Sequence, residues 1–232
     1  MFGIGTASRP QVVAFDVIGT LFPLEPLRTR LVSLGLAHGG LEAWFATGLR
    51  DAFALAATGQ FKPFTEVLGS ALDTVLAQQG AAPPDAERKA LLKEMEHLPA
   101  RPDARAAFEV LREADVPVLA VSNGAKAATV ALLKGAGLHE LVAHVVSVEQ
   151  VKRSKPFKKV YLKAAKVGGV APAGLALVAA HPWDINGAHA AGLVTGLVGP
   201  LGLPYPKVMH APDVEAESLV GVVEALLALK PA

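Results

Sequence analysis

The sequence predicts an α/β fold in which a doubly wound parallel sheet carries a helical domain inserted after its first strand. Two observations support this fold class. From about residue 104 onward, short apolar segments rich in β-branched residues alternate with segments of helical spacing, which is typical of a parallel sheet covered on both faces. Before that alternation, residues 26–97 show helical spacing alone. The expected core is therefore Rossmann-like.

The first predicted strand is the apolar stretch QVVAF at residues 11–15, and Gly19 and Thr20 then mark a turn. Asp16 stands between strand and turn, at the end of the apolar run. A carboxylate on a buried run is costly unless something pairs with it, and such groups are most often retained at a site of chemistry. Asp16 is therefore the first candidate functional residue. The alternative is a strand-end aspartate that only caps the turn.

The inserted segment is predicted to be helical throughout. Apolar residues recur at helical spacing in LEAWFATGLRDAFALAA (residues 41–57) and in FTEVLGSALDTVLAQQ (residues 64–79), and no segment there has the pattern of a strand. We expect residues 23–99 to form this domain. Residues 1–22 and 100–232 would together form the core.

The rest of the core is predicted from alternating apolar runs and helical patterns that end at glycine. The predicted strands are residues 116–123, 141–148, 174–181 and 193–199, and the predicted helices are residues 104–114, 125–137, 156–169, 185–192 and 215–229. In such a sheet, ligands bind beyond the carboxyl ends of the strands. The residues that follow the strands are therefore expected to meet at one edge: Asp16, Ser122, Asn123, Lys155 and the segment 181–184.

Composition narrows the classes of function. Lysine and arginine number 22 against 21 acidic residues, a net charge of +1 that argues against a nucleic-acid partner. There is no cysteine, so disulfides and thiolate metal sites are excluded. We see neither a signal peptide nor an apolar run of the ~18 residues that a membrane span needs. We therefore expect a soluble cytoplasmic protein with neither a nucleic acid nor a membrane as partner. A homodimer stays possible.

Four segments resemble the four motifs of the haloacid dehalogenase superfamily, in the right order. They are FDVIGTLF, AVSNG, SKPFKKVY and AAHPWDINGA. The resemblance runs over residues 11–21 and about 103–200, and the helical insertion stands where this superfamily places its cap domain. The motif sequences SNG and WD..GA are more similar to those of the 2-haloacid dehalogenase branch than to those of the phosphatases.

The resemblance implies roles for individual residues. Asp16 would be the nucleophile that attacks a halogen-bearing carbon and forms an ester, which water then hydrolyses. Lys155 and Asp184 would form a charged pair behind it. The remaining implied site residues would bind the substrate: Thr20, Ser122 and Asn123 through its carboxylate, and Tyr161, His181 and Trp183 by lining the site.

Two departures from the phosphatases of this superfamily argue against their chemistry, and the second of them points to a site without metal. Those enzymes carry an aspartate two residues after the nucleophile as general acid, where this chain has Ile18. A basic alkoxide benefits from a proton donor when it leaves, whereas a halide leaves unprotonated. They also carry a magnesium-binding aspartate where this chain has Ala180, and magnesium depends on carboxylate ligands. We therefore expect no cofactor and no metal.

The part of the site that holds the leaving halide also differs from the dehalogenase branch. That branch has an asparagine at His181, a serine at Ala179 and a cap arginine where the nearest alignment puts Phe45. Arg50, further along the same predicted helix, is a candidate substitute. Because of these replacements, the sequence does not predict which acid is the substrate.

Several candidates also have a plain structural interpretation. Lys155 could be an ordinary solvated lysine of a loop. Ser122 could be the cap of the following helix, and His181 could be a neutral histidine that is hydrogen bonded to the backbone. The basic run VKRSKPFKK at residues 151–159 is expected to be a solvated face.

The sequence thus predicts a haloacid dehalogenase-like hydrolase acting through an Asp16 ester on 2-halo acids or another small acid with a good leaving group. One alternative is a phosphatase of the same superfamily, which would need Mg²⁺. The other is a non-catalytic relative that binds a small anion or a protein partner.

Overall fold

The computed structural model describes residues 7–202 and 204–231 and contains a six-stranded, wholly parallel sheet in the order β3-β2-β1-β4-β5-β6. The strands are β1 (Val12–Asp16), β2 (Val118–Ser122), β3 (His144–Ser147), β4 (Leu175–Ala179), β5 (Val194–Val198) and β6 (Val214–Ala216). The predicted fold class is confirmed.

Strand β1 lies at the centre of the sheet, and every one of its residues is buried. It pairs with β2 on one side, where Asp16 is opposite Val121, and with β4 on the other, where Phe15 is opposite Val178. The chain runs outward from β1 to β3 and then returns to β4 on the opposite side. This reversal makes the carboxyl end of β1 the switch point at which open α/β sheets bind their ligands.

Two apolar layers cover the sheet because side chains alternate along each strand. Val13 and Phe15 belong to one layer, in which Phe15 packs on Phe108 with ring centroids 4.9 Å apart. Val12 and Ala14 belong to the other layer. Helices α5 (Ala104–Glu113), α6 (Lys126–Gly135) and α9 (Leu219–Leu227) contribute to the first layer, and α7 (Lys158–Val167) and α8 (Pro182–Ala190) to the second.

The segment between β1 and α5 is helical. It contains α1 (Arg28–Ser33), α2 (Gly40–Ala57), α3 (Phe64–Gln78) and α4 (Asp85–Glu94). Helices α2 and α3 pack closely because Gly48 has no Cβ, which would lie 2.6 Å from the Leu68 side chain. The buried Trp44 indole donates a hydrogen bond to the Leu68 carbonyl at 2.8 Å. The division into a core and a cap at residues 23–99 stays a prediction.

Several element boundaries differ from the sequence prediction. Strand β3 begins at His144 rather than at residue 141, and helix α7 spans Lys158–Val167 rather than residues 156–169. The residues 215 and 216 lie in the short edge strand β6, and the predicted helix begins only at Leu219, after the N-cap Ser218. A three-residue strand with a central glutamate has no apolar run to mark it. Helix α8 begins at Pro182 rather than at residue 185, since proline suits the first helical position. Asp184 therefore lies in the first turn of a helix.

No helix in residues 7–202 and 204–231 has both the length and the apolarity required to cross a lipid bilayer.

Candidate active site

The residues predicted to follow the strands do meet at the carboxyl edge of the sheet. Asp16 ends β1, Ser122 ends β2, Lys155 lies in the loop after β3 and Asp184 lies on α8 after β4. All four side chains are buried, and Lys155 and Asp184 have no exposed surface. A fully buried lysine excludes the interpretation of Lys155 as a solvated loop residue.

Lys155 is held by three acceptors. Its Nζ donates to Asp16 Oδ1 and to Asp184 Oδ2, each at 2.6 Å, and to the Val121 carbonyl at 3.1 Å. An ammonium group has three protons to donate, so each has a partner. The arrangement fixes the cation between the two carboxylates at the end of β1.

The pKa values of this pair follow from burial and charge. Burial acts to raise the pKa of Asp16, but the charge of Lys155, together with His181, outweighs it and lowers the pKa well below its usual range. Burial alone would lower the pKa of Lys155, yet the charges of Asp16 and Asp184 raise it. At neutral pH, Asp16 is therefore an ionised carboxylate paired with an ammonium.

Asp184 holds the far side of Lys155 and is itself held by Tyr161. The Tyr161 hydroxyl donates to Asp184 Oδ1 at 2.6 Å. Burial raises the pKa of Asp184 despite the opposing charge of Lys155. Burial, with the charge of Asp184 beside it, also raises the pKa of Tyr161 well above its usual value. Tyr161 therefore remains a neutral donor that compensates for the buried charge of Asp184.

Thr20 positions the second oxygen of the nucleophile. Its hydroxyl donates to Asp16 Oδ2 at 2.6 Å and accepts the backbone N–H of Ala180 at 2.9 Å. The one hydroxyl proton of Thr20 is thus directed at Asp16. Carboxylate binding by Thr20 stays a prediction, and the structure adds this positioning contact.

Ser122 and Asn123 keep donors available at the same edge. Ser122 Oγ accepts the N–H of Gly124 at 2.9 Å, and Asn123 Oδ1 accepts the N–H of Lys155 at 2.8 Å. Within residues 7–202 and 204–231, neither the Ser122 hydroxyl nor the Asn123 amide donates a hydrogen bond. Ser122 does not cap the next helix, whose N-cap is Ala125. Their predicted contact with a substrate carboxylate stays a prediction.

An aromatic layer lies next to Asp16 and approaches it through His181. The His181 ring stacks on Trp183 at 5.4 Å and lies 5.6 Å from Phe45 of α2, while Phe53 of α2 meets Trp183 at 5.4 Å. His181 Nδ1 is 3.4 Å from Asp16 Oδ2 without forming a hydrogen bond. In the described part of the chain, the buried atoms His181 Nδ1 and Trp183 Nε1 have no hydrogen-bond partner. His181 Nδ1 therefore does not form the hydrogen bond to the backbone that the structural alternative expected.

Gly19 makes room for His181. The glycine has φ of 86°, and a Cβ there would lie 2.5 Å from His181 Cε1. The imidazole therefore packs directly on the backbone of the turn that follows the nucleophile.

The sequence matches a known family over residues 10–192, that of haloacid dehalogenase-like hydrolases. The chain belongs to this family. It is 22% identical over 218 residues to haloacetate dehalogenase H-2 from Moraxella sp. (strain B), covering 93% of this chain and 97% of the relative. It is 27% identical over 204 residues to (S)-2-haloacid dehalogenase 2 from Pseudomonas sp. (strain CBS-3), covering 87% of this chain and 89% of the relative.

Solved structures of haloacid dehalogenases share this fold. A crystal structure of an L-2-haloacid dehalogenase superposes with a TM-score of 0.90 at 26% identity, covering 95% of this chain and 100% of that one. A second structure is that of the L-2-haloacid dehalogenase from Xanthobacter autotrophicus with chloropropionic acid covalently bound. Its TM-score is 0.84 at 23% identity, covering 94% of this chain and 99% of that one. The protein is a hydrolase of the haloacid dehalogenase-like family.

Helix α2, all of whose residues the structure describes, places no cation at the aromatic layer of this haloacid dehalogenase-like site. Phe45 contacts His181, whereas the Arg50 side chain is 64% exposed and pairs with Asp51 at 2.8 Å. Arg50 thus does not take the place of the cap arginine. Phe53 was not foreseen from the sequence. Its position eight residues after Phe45, about two helical turns, was the available signal, since such residues share a helix face.

A magnesium ion of the kind used by the family's phosphatases does not fit these residues. Both oxygens of Asp16 are already hydrogen bonded, to Lys155 and Thr20. Ala180 supplies no carboxylate, and Ile18 has only its backbone carbonyl to offer. Among the described residues, no cluster of three or more His, Asp or Glu side chains is arranged to hold a metal ion.

Proposed function

We propose that this hydrolase removes halide from small 2-halo acids through an ester on Asp16, without a metal ion or other cofactor. The observation that carries the proposal is the 2.6 Å contact of Lys155 Nζ with Asp16 Oδ1, which keeps the buried carboxylate ionised. The named activities of the Moraxella and Pseudomonas relatives support the same class of substrate.

In the first step, a carboxylate oxygen of Asp16 attacks the halogen-bearing carbon. A C–O bond forms, the C–halogen bond breaks, and its electron pair leaves with the halide. The burial of Asp16 favours this step because a partly desolvated carboxylate is a stronger nucleophile than a hydrated one. The buried ring nitrogens of His181 and Trp183, which have no hydrogen-bond partner among the described residues, are the atoms that we propose to accommodate the departing anion.

In the second step, water attacks the ester and releases a 2-hydroxy acid. Asp16 regains its carboxylate, and one proton is released. Lys155 stays in contact with Asp16 throughout and stabilises the negative charge that returns to it. Asp184 and Tyr161 keep Lys155 charged and oriented during both steps.

The free donors of Ser122 and Asn123 suit the carboxylate of the substrate. They project from the end of β2, beside the nucleophile, and the two side chains are buried. We propose that they bind the acid group and so turn the halogen-bearing carbon toward Asp16. A cytoplasmic location and a homodimer stay predictions.

A phosphatase is the less supported candidate. Removal of an alkoxide from a phosphate ester benefits from a general acid, and Ile18 stands where that acid would be. A non-catalytic role is also less supported, because the buried set of Asp16, Lys155 and Asp184 is costly to retain without chemistry.

The test is a panel of 2-halo acids and alkyl phosphates, assayed with and without magnesium on wild type and Asp16→Asn. We expect halide release from the acids, faster for bromide and iodide than for chloride, independent of magnesium and absent in Asp16→Asn. Phosphate release without any halide release would contradict the proposal. Inactivity toward both classes would favour the non-catalytic alternative.

A further inference from the structure

The stretch from residue 150 to residue 183 is strongly cationic. It contains no Asp or Glu and seven Lys or Arg residues. One of them is the buried Lys155, and the others are Lys152, Arg153, Lys158, Lys159, Lys163 and Lys166. Among the described residues, none of these six lies within 4 Å of a carboxylate, while the chain as a whole is almost neutral. The positive charge of this stretch is therefore not balanced by neighbouring acidic side chains.

Two of these cations stand where the helical segment meets the core. Lys152 Nζ lies 5.2 Å from the centre of the Phe61 ring, in the loop between α2 and α3. The Arg153 guanidinium lies beside Gly59 in the same loop, where a Cβ would be 3.6 Å from it. The 151–157 loop and the 58–62 loop thus form a seam with two cations on it.

The seam is close to the nucleophile. Three residues of extended chain span at most about 11 Å, so the Cα of Lys152 lies no further than that from the Cα of Lys155. Lys155 in turn contacts Asp16. The screening length is about 30 Å at 0.01 M salt and about 8 Å at physiological ionic strength, so charges at the seam act on the approach to Asp16 most strongly at low salt.

The backbone at Lys152 is held in an unfavourable conformation. Its φ is 50°, in the left-handed region that a residue with a Cβ adopts only at some cost. The Arg153 guanidinium donates to the Lys152 carbonyl at 2.8 Å, which fixes this turn. Both side chains of this turn reach the 58–62 loop.

We propose that Lys152 and Arg153 form a cationic entrance that attracts the carboxylate of the substrate to the seam above Asp16. The inference rests on the proposed function, in which the substrate is a small organic anion. A buried nucleophile that carries a negative charge would otherwise repel such a substrate. The entrance raises the local concentration of the acid without contacting the reacting carbon.

The test compares Lys152→Glu/Arg153→Glu with Lys163→Glu/Lys166→Glu, which changes the net charge equally near the far end of α7. Halide release from 2-chloropropionate is measured across ionic strengths set with sodium methanesulfonate. We expect the entrance variant to lose about tenfold in kcat/KM at low ionic strength, mostly through KM. That loss should fall to about twofold at high ionic strength. The control should change by less than about twofold.

A neutral pair, Lys152→Asn/Arg153→Gln, separates charge from structure, since asparagine tolerates a left-handed backbone. It should fall between wild type and the charge-reversed pair. Equal losses in the entrance and control variants, or a loss that does not vary with ionic strength, would overturn the proposal.

Failure of the cationic entrance can be distinguished from failure of the proposed dehalogenase activity. If wild type releases no halide from any halo acid, the function fails. The entrance is then tested by calorimetric binding of propionate to the same variants. A salt-dependent loss of affinity confined to the entrance pair supports it, and equal affinities overturn it.

Discussion

The ammonium of Lys155 lies 2.6 Å from Asp16 and 2.6 Å from Asp184, so one buried cation is shared by two buried carboxylates. Removing that cation leaves two like charges together in a buried site. Such a site is stable only when the cation remains or when one carboxylate binds a proton.

Lys155→Met should therefore abolish most turnover, by about 100-fold or more, and destabilise the fold by about 3–5 kcal/mol at neutral pH. Part of that stability should return as the pH falls, because protonation of one carboxylate removes the repulsion. Urea unfolding at several pH values measures this, with the exposed Lys159→Met as control. Unchanged turnover in Lys155→Met would show that the ion pair is only structural.

The lowered pKa of Asp16 predicts how stability depends on pH. Because the pKa is lower in the folded chain, the ionised carboxylate contributes stability that is present above its unfolded pKa of about 3.9 and is lost as the pH falls further. Relative to Asp16→Asn, wild type should therefore lose stability below about pH 4. Denaturant unfolding of both proteins between pH 2 and pH 7 tests this, and parallel curves would contradict it.

The hydroxyl of Tyr161 compensates for the buried charge of Asp184. Tyr161→Phe should cost about 1.5–3 kcal/mol, because a charge-assisted hydrogen bond is lost, and should lower kcat with little change in KM. The control is Tyr205→Phe, whose hydroxyl donates to the neutral carbonyl of His210 at 2.8 Å. That variant should lose about 0.5–1.5 kcal/mol and retain full turnover. Equal losses of turnover in both would argue against a specific role for Tyr161.

Gly19 and Gly80 allow backbone strain to be separated from contact with His181. Both have positive φ, but a Cβ on Gly80 meets nothing within 4 Å, whereas one on Gly19 meets His181 at 2.5 Å. Each alanine variant should lose about 1–2 kcal/mol of stability from the strained backbone. Only Gly19→Ala should also lose turnover, by up to about 100-fold, because the imidazole is displaced from Asp16. Steady-state kinetics of both variants decide this.

The sequence supported the fold and the residues at the sheet edge for a physical reason. Buried strands are apolar runs, and parallel topology brings the residues that follow them together, so Asp16, Lys155 and Asp184 were predictable as neighbours. Strand β6 was missed because an edge strand of three residues has no apolar pattern.

The contacts across the site were harder to foresee. The layer of Phe45, Phe53, His181 and Trp183 depends on where α2 lies against α8, which no local pattern specifies. Likewise, the Thr20 hydroxyl accepts a hydrogen bond from the N–H of Ala180 and donates its own proton to Asp16. Such hydrogen bonds join residues distant in sequence and follow from tertiary packing.

The most direct test of the ester on Asp16 is a single turnover of a 2-halo acid in ¹⁸O-labelled water with enzyme in excess. If Asp16 attacks the carbon, the first hydroxy acid carries an unlabelled oxygen from the carboxylate. The label then appears in the peptide that contains Asp16, as mass spectrometry would show. Label in the hydroxy acid after one turnover, with Asp16 unlabelled, would mean that water attacks the carbon directly and would contradict the account.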